Sequence, residues 1–432
     1  MDVRHGKIDR RTFAKTALAI GGSAALSACV GRDEDALDVP AGTDDRDTLP
    51  TGQHEWDDAL GEDQWGNIEP PRHHLFLLLD LTTGGPPSEA DRETVETAFQ
   101  SLERAYEWSN EGLLFTVGYT PAYFDRFDES LHQSIALPEP EPLASFESPD
   151  PDLPDIGLHL ASDEAAVLLE AEESLFGETD PVNADMEATL DGVVERPSEG
   201  DTDRRRTGFI GEGLPADNSD VQGIPSEAPI DEDAPLFMNF KSGFLKNQAS
   251  EGRITIDEGP FAGGTTQHLS KIRLNLHQWY NQDTREDREA LMFCPVHAAE
   301  GRVDGPGHNL GTDSRMDGDC IDDVEGDARE YGRVGHSQKM AAAARENDEP
   351  LILRRDFNST DDGHAGLHFL SVQESIADFV QTREAMNGSD IAETTGVGQR
   401  NNNGILQYLT VHRRGNYLLP PRPYRSLPTP NP

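Results

Sequence analysis

Two periods of apolar residues run through this 432-residue chain, one of strand type and one of helix type. Residues 74–81, HLFLLLDL, form a continuous apolar run of strand length. Residues 91–108 then place Val95, Phe99, Leu102 and Tyr106 at helical spacing, with acidic residues favouring the N-terminal end. Residues 113–119 and 156–161 read as two more strands, separated by a proline-rich loop over 137–154, and 163–176 reads as a helix. Strand, helix, strand, strand, helix is a ferredoxin-like order, so the first half predicts an α+β domain over 72–176.

Residues 177–206 are acidic and lack a strong period, which predicts an interdomain loop. The second domain, 207–422, repeats the architecture less regularly. Residues 265–280 mix strand and helix spacing, 351–353 and 367–372 read as strands, and 373–386 reads as a helix carrying Ile376, Phe379, Val380 and Arg383 on neighbouring turns. A last apolar strand ends at residues 416–421, and 423–432 reads as a tail. Two related halves fit this pattern; no short-period repeat is visible.

Charge changes the environment rather than the fold. Eighty-one acidic residues against thirty-six basic ones give a net charge of −45. Such a surface repels nucleic acid and anionic lipid headgroups, and it suits solvation in concentrated salt, which points to a halophilic source. At the N-terminus, Arg10 and Arg11 precede an apolar stretch too short to span a bilayer, so residues 1–29 read as an export address. The segment resembles a twin-arginine signal, and Leu26-Ser27-Ala28-Cys29 looks like a lipobox. The expectation is an exported protein, held to the outer face of the membrane through a lipidated Cys29 by an acidic, flexible stalk over 30–71.

Cys294 and Cys320 are the remaining thiols, and three states stay open for them. A disulfide is permitted outside the cell, a metal site could add His297 and His308, and two separate thiols need no partner. The candidate chemistry lies nearby. GRVGHSQK places His336 eighteen residues before Arg354 in PLILRRDF. A histidine can ligate haem iron and an arginine can stabilise charge on a bound peroxide, so the pair suggests a haem site.

The order of landmarks resembles that of the dye-decolourising peroxidase family over residues 74–421. HHLFLLLDL and LLFTVGYTPAYFDRF are similar to its first-domain strands. GFIGEG, PLFMNFKSGFLKNQ, GPFAGGTTQHLSKIRLNLHQWY, PLILRRDF and AGLHFLSVQESIADFVQTREAM follow in the family's order and at similar spacing. The resemblance implies two ferredoxin-like domains in a dimeric-α+β-barrel-type fold, and a haem b pocket mainly in the second domain. His336 would be the proximal iron ligand and Arg354 the distal cation, with hydrogen peroxide and a small aromatic or other reductant as substrates. Asp390 is the expected carboxylate behind His336, with Glu393 as runner-up, because a carboxylate on the second imidazole nitrogen strengthens iron ligation.

One position departs from the family. Its signature G-F-x-D-G carries a distal acid–base aspartate, and here Asn239-Phe240-Lys241-Ser242-Gly243 puts Ser242 in its place. A hydroxyl without a neighbouring base can order a water but does not hold a proton at neutral pH, so catalysis would fall by ~10²- to 10⁴-fold and rest on Arg354. Glu212 in GFIGEG is a weaker substitute, since it matches a different landmark. A non-catalytic haem-binding lipoprotein is therefore the competing reading. Trp279 and Tyr280 could relay electrons or simply pack, His268 could face the pocket or sit satisfied in a strand, and Arg354 or Arg355 could be an interdomain ion-pair residue.

Overall fold

A computed structural model describes residues 37–432 apart from 317, 344, 347 and 348. The proposed export signal and Cys29 lie outside the described residues. The first half runs β1 (His73–Leu81), α1 (Glu89–Ala105), β2 (Leu114–Tyr119), β3 (Ile156–Ser162), α2 (Ala165–Leu175) and β4 (Arg205–Phe209). The second runs β5 (Thr265–Leu274), a set of short helices ending in α3 (His336–Ala343), β6 (Leu353–Arg354), β7 (Phe357–Ser359), β8 (Gly366–Gln373), α4 (Ile376–Asn387), α5 (Ser389–Thr394) and β9 (Leu409–Leu419). Each half is thus α+β with the ferredoxin-like order. A reciprocal side-chain cap starts α1, where Ser88 and Asp91 satisfy each other's backbone N–H, and at the start of α4 the Asp378 carboxylate accepts from the Ser375 N–H.

The first sheet has the order β4-β1-β3-β2 and the second β7-β8-β5-β9, all antiparallel, with β6 extending the edge beside β8. The sheets join at two seams of one residue pair each, Asn358 with Phe209 and Leu418 with Tyr119. Eight strands thereby close into a barrel. Strand alternation divides the side chains between its inner and outer faces. Phe76, Leu78, Leu269, Phe357, Leu370 and Tyr417 fill the interior, while Leu75, Leu77, Leu158 and Leu160 pack outward against α1 and α2.

Three segments differ from the sequence expectation. The stalk expected over 30–71 packs on the body from residue 37 onward. Trp56 is fully buried under the Arg355 guanidinium, 4.0 Å from its ring centroid, and Gln53 bonds both Val117 and Pro420. One aromatic and one amide anchor the segment, which a count of aliphatics does not register. The interdomain loop expected over 177–206 instead buries Leu190 and Val194 in the first core and leads into β4, so the first domain extends past residue 207. The arginines of β4 hid it: Arg205 pairs with buried Glu172 at 2.8 Å and Arg206 with buried Asp152 at 2.7 Å. The tail expected over 423–432 is also docked, with Arg425 paired to Glu103 and Glu96, and Leu427 in the first core. Among the described residues no helix is long and apolar enough to cross a membrane.

Candidate functional site

His336 opens α3, and its neighbours fix the start of that helix. The Gln338 side chain accepts from the Gly335 N–H at 3.0 Å, as a third-turn-position glutamine does in a capping box, and donates to the Cys320 carbonyl at 2.7 Å. Gly335 is required by close approach, since a Cβ there would lie 1.8 Å from the Phe293 carbonyl oxygen. Cys294, next to Phe293, is joined to Cys320 by a disulfide. Of the three states open for these cysteines the structure has the bridge. His297 lies beside it and bonds the Arg315 carbonyl, whereas His308 is placed elsewhere, 3.4 Å from Glu212.

A cavity of about 450 Å³ lies between the outer face of the second sheet, α3 and α4. His336 and Arg354 both line it, so the fold brings together the pair that the sequence singles out. Its walls include Phe240, Phe244, Ile272, Phe293 and Phe369. Burial, reinforced by the charges of Lys339, Arg354 and Arg383, lowers the His336 pKa to about 3, so its imidazole is neutral at working pH. The residue as a whole keeps some exposure, yet its Nδ1 is sealed from solvent and has no hydrogen-bond partner among the described residues.

Strand alternation separates the two arginines of the RR pair. Arg354 faces the cavity and is steadied by Gln248, whose Oε1 accepts from its backbone N–H and its Nε. Arg355 points into the barrel, donating to the His54 carbonyl and lying 3.4 Å from Glu251, so the ion-pair role belongs to Arg355. A second cavity of about 550 Å³ lies toward the first half. Lys241, Ser242, Arg354 and Asp356 line both cavities and mark where they meet.

Other expected residues fall elsewhere. Asp390 is exposed on α5 and makes no bond to His336; its charge acts on Lys339 instead. Glu393 is exposed as well. The sequence distance from α3 to α5 carried no information on direction, and the turn through Gly388 points Asp390 outward. Glu212 lines only the second cavity. His268 is the satisfied strand histidine, with Asn416 and Ser270 each 2.7 Å from a ring nitrogen and Phe379 stacked at 3.5 Å. Trp279 and Tyr280 are core residues that donate to the Met238 and Phe237 carbonyls. The sequence reading passed over Asp356. Period-two spacing from Arg354 could have found it, because the two share one face of the strand. Burial raises the Asp356 pKa, and the Arg354 charge opposes that shift.

The fold is similar to that of solved dye-decolourising-type peroxidases. It is similar to a haem complex of a DypB variant from Rhodococcus jostii RHA1, with TM-score 0.54 and 16% identity over 86% of this chain and 97% of that one. It is also similar to the encapsulated DyP-type peroxidase of Mycobacterium smegmatis, with TM-score 0.52 and 13% identity over 87% of this chain and 100% of that one. The chain belongs to the family described as "Family of unknown function (DUF7405)", whose model matches residues 71–421. No curated protein matches the sequence.

Proposed function

We propose that this chain is an exported haem peroxidase that reduces hydrogen peroxide with electrons from small aromatic or other reductants, and that it holds haem b in the cavity with His336 on the iron. One observation carries the reading: a neutral imidazole and a fixed arginine line one apolar-walled cavity. The residues present fit the group. Its volume lies within the ~300–1,000 Å³ common for cofactor sites, aromatic walls suit a flat apolar ring, and Arg345 and Arg400 supply cations for its acid groups. Haem, when bound, would supply the iron and the electrons that cleave peroxide. Arg354 would donate to the oxygen on which negative charge grows, held in place by Gln248 so that little reorganisation is needed. Ser242, whose hydroxyl has no protein partner among the described residues, would order a water at the meeting of the cavities. Export rests on the twin-arginine-like segment and Cys29, which also motivate tethering to the outer membrane face.

Ser242 favours a second reading, a haem-binding protein without turnover. Reconstitution with haem b in high salt separates these readings. A Soret band that is lost in His336→Ala supports the assigned ligand, and reaction of the bound haem with peroxide supports the enzyme. No Soret band in the wild type would remove both readings.

A further inference from the structure

Peroxide cleavage needs a group that takes a proton and gives it back, and Ser242 is not one. The structure assigns that task to Asp356, an inference that rests on the haem reading above. The four residues shared by the two cavities narrow the choice. Lys241 is tied to Asp63, the Arg354 guanidinium offers donors and no acceptor, and Ser242 offers a hydroxyl, which leaves Asp356 as the one carboxylate lining both cavities. The first cavity has two other carboxylates, and both are committed. Glu147 is held between Arg383 at 3.2 Å and Arg414 at 2.9 Å, and Asp150 is an exposed partner of Arg413.

Asp356 makes no ion pair within 4 Å among the described residues. It follows Arg354 by two positions, beyond the last paired residue of β6 and just before β7, so its side chain shares the face of Arg354. Burial favours its neutral form and the guanidinium favours its charged form, an opposition that suits a group visiting both. In the proposed step a carboxylate oxygen of Asp356 accepts the proton from one oxygen of hydrogen peroxide and returns it to the other. The O–O bond breaks and the second oxygen leaves as water; haem, when bound, would supply the two electrons and keep the first oxygen. Asp356 ends the step ionised as it began.

The test uses the haem-loaded protein and a readout other than turnover. Hydrogen cyanide must lose a proton to bind ferric haem as the anion, so its association rate reports the same base. Asp356→Asn should keep the Soret band and slow both cyanide association and reaction with peroxide by ~10²-fold or more, the usual scale of general acid–base assistance. Adding Ser242→Asp to Asp356→Asn should recover at least about tenfold of that loss by restoring a carboxylate at the junction. Should Asp356→Asn fail to take up haem, Asp356→Ala is measured in its place with the same expected rates. Rates within about twofold of wild type, with haem bound, overturn the assignment and leave the haem reading standing. A wild type that binds no haem overturns the site itself and the assignment with it.

Discussion

The two halves present equivalent sheet faces to their helices and fill them differently. In the first half Leu75, Leu77, Leu158 and Leu160 meet α1 and α2 in one buried apolar cluster. In the second half the face carries Ser270, Ile272, Leu367 and Phe369, and α4 stands over a cavity. A repeated fold can therefore assign its stability to one copy and its binding space to the other. Residues around a cavity give up part of the dispersion and burial that a filled core gains, so the second half should be the more tolerant of truncation and the more sensitive to position.

The broadest test is a matched pair of truncations. Leu160→Ala should cost about 3 kcal/mol, while Leu367→Ala, half-buried on the cavity wall, should cost less than about 1 kcal/mol, both read from denaturant midpoints. Equal costs would mean that the second half is as closely packed as the first and would break the comparison.

The filled half has its own weakness on the inner face of the sheet. Burial, with smaller contributions from neighbouring charges, lowers the His74 pKa from 6.5 to about 3, and its Nδ1 sits 3.0 Å from Nε2 of His159, which is also held neutral. The unfolded chain takes up the proton first as pH falls, so this share of stability is complete above about pH 6.5 and drains away below it. The stability lost between about pH 7 and pH 4 should be smaller by about 3 kcal/mol in His74→Phe than in wild type. An unchanged pH dependence would show that His74 meets water in the folded state.

The smallest effect concerns position rather than packing. Gly335→Ala forces the start of α3 away from Phe293, at about 2 kcal/mol in stability. Its larger signature should be local: haem uptake should fall while the first half keeps its hydrogen-exchange protection. Uptake like that of wild type would show that His336 does not need the helix start where it is.

The sequence reading succeeded where apolar period and strand length agree. Residues 74–81, 113–119 and 156–161 were legible because their side chains face a core on at least one side of the sheet. β4 was not, since RRTGF becomes a buried strand only when Glu172 and Asp152 arrive from distant segments to neutralise its arginines. The segment around Trp56 was missed for a similar reason: its partners, Arg355 and Val117, lie far along the chain. At the candidate site, motifs singled out His336 and Arg354, which line one cavity, whereas the choice between Arg354 and Arg355 needed the direction of one strand. Asp390 illustrates the limit. Its chemistry suited the role, but the turn at Gly388 directs it to solvent.

Barrel closure has a further consequence for a chain of net charge −45. In dilute solution such charge keeps molecules apart, but concentrated salt screens it within a few ångströms. An open sheet edge would then be free to template pairing with a neighbour, and electrostatic repulsion could not prevent it. Joining the two sheets at Asn358–Phe209 and Leu418–Tyr119 ties their outer strands to each other inside one molecule. Each seam is a single residue pair, so these two points guard the chain against aggregation.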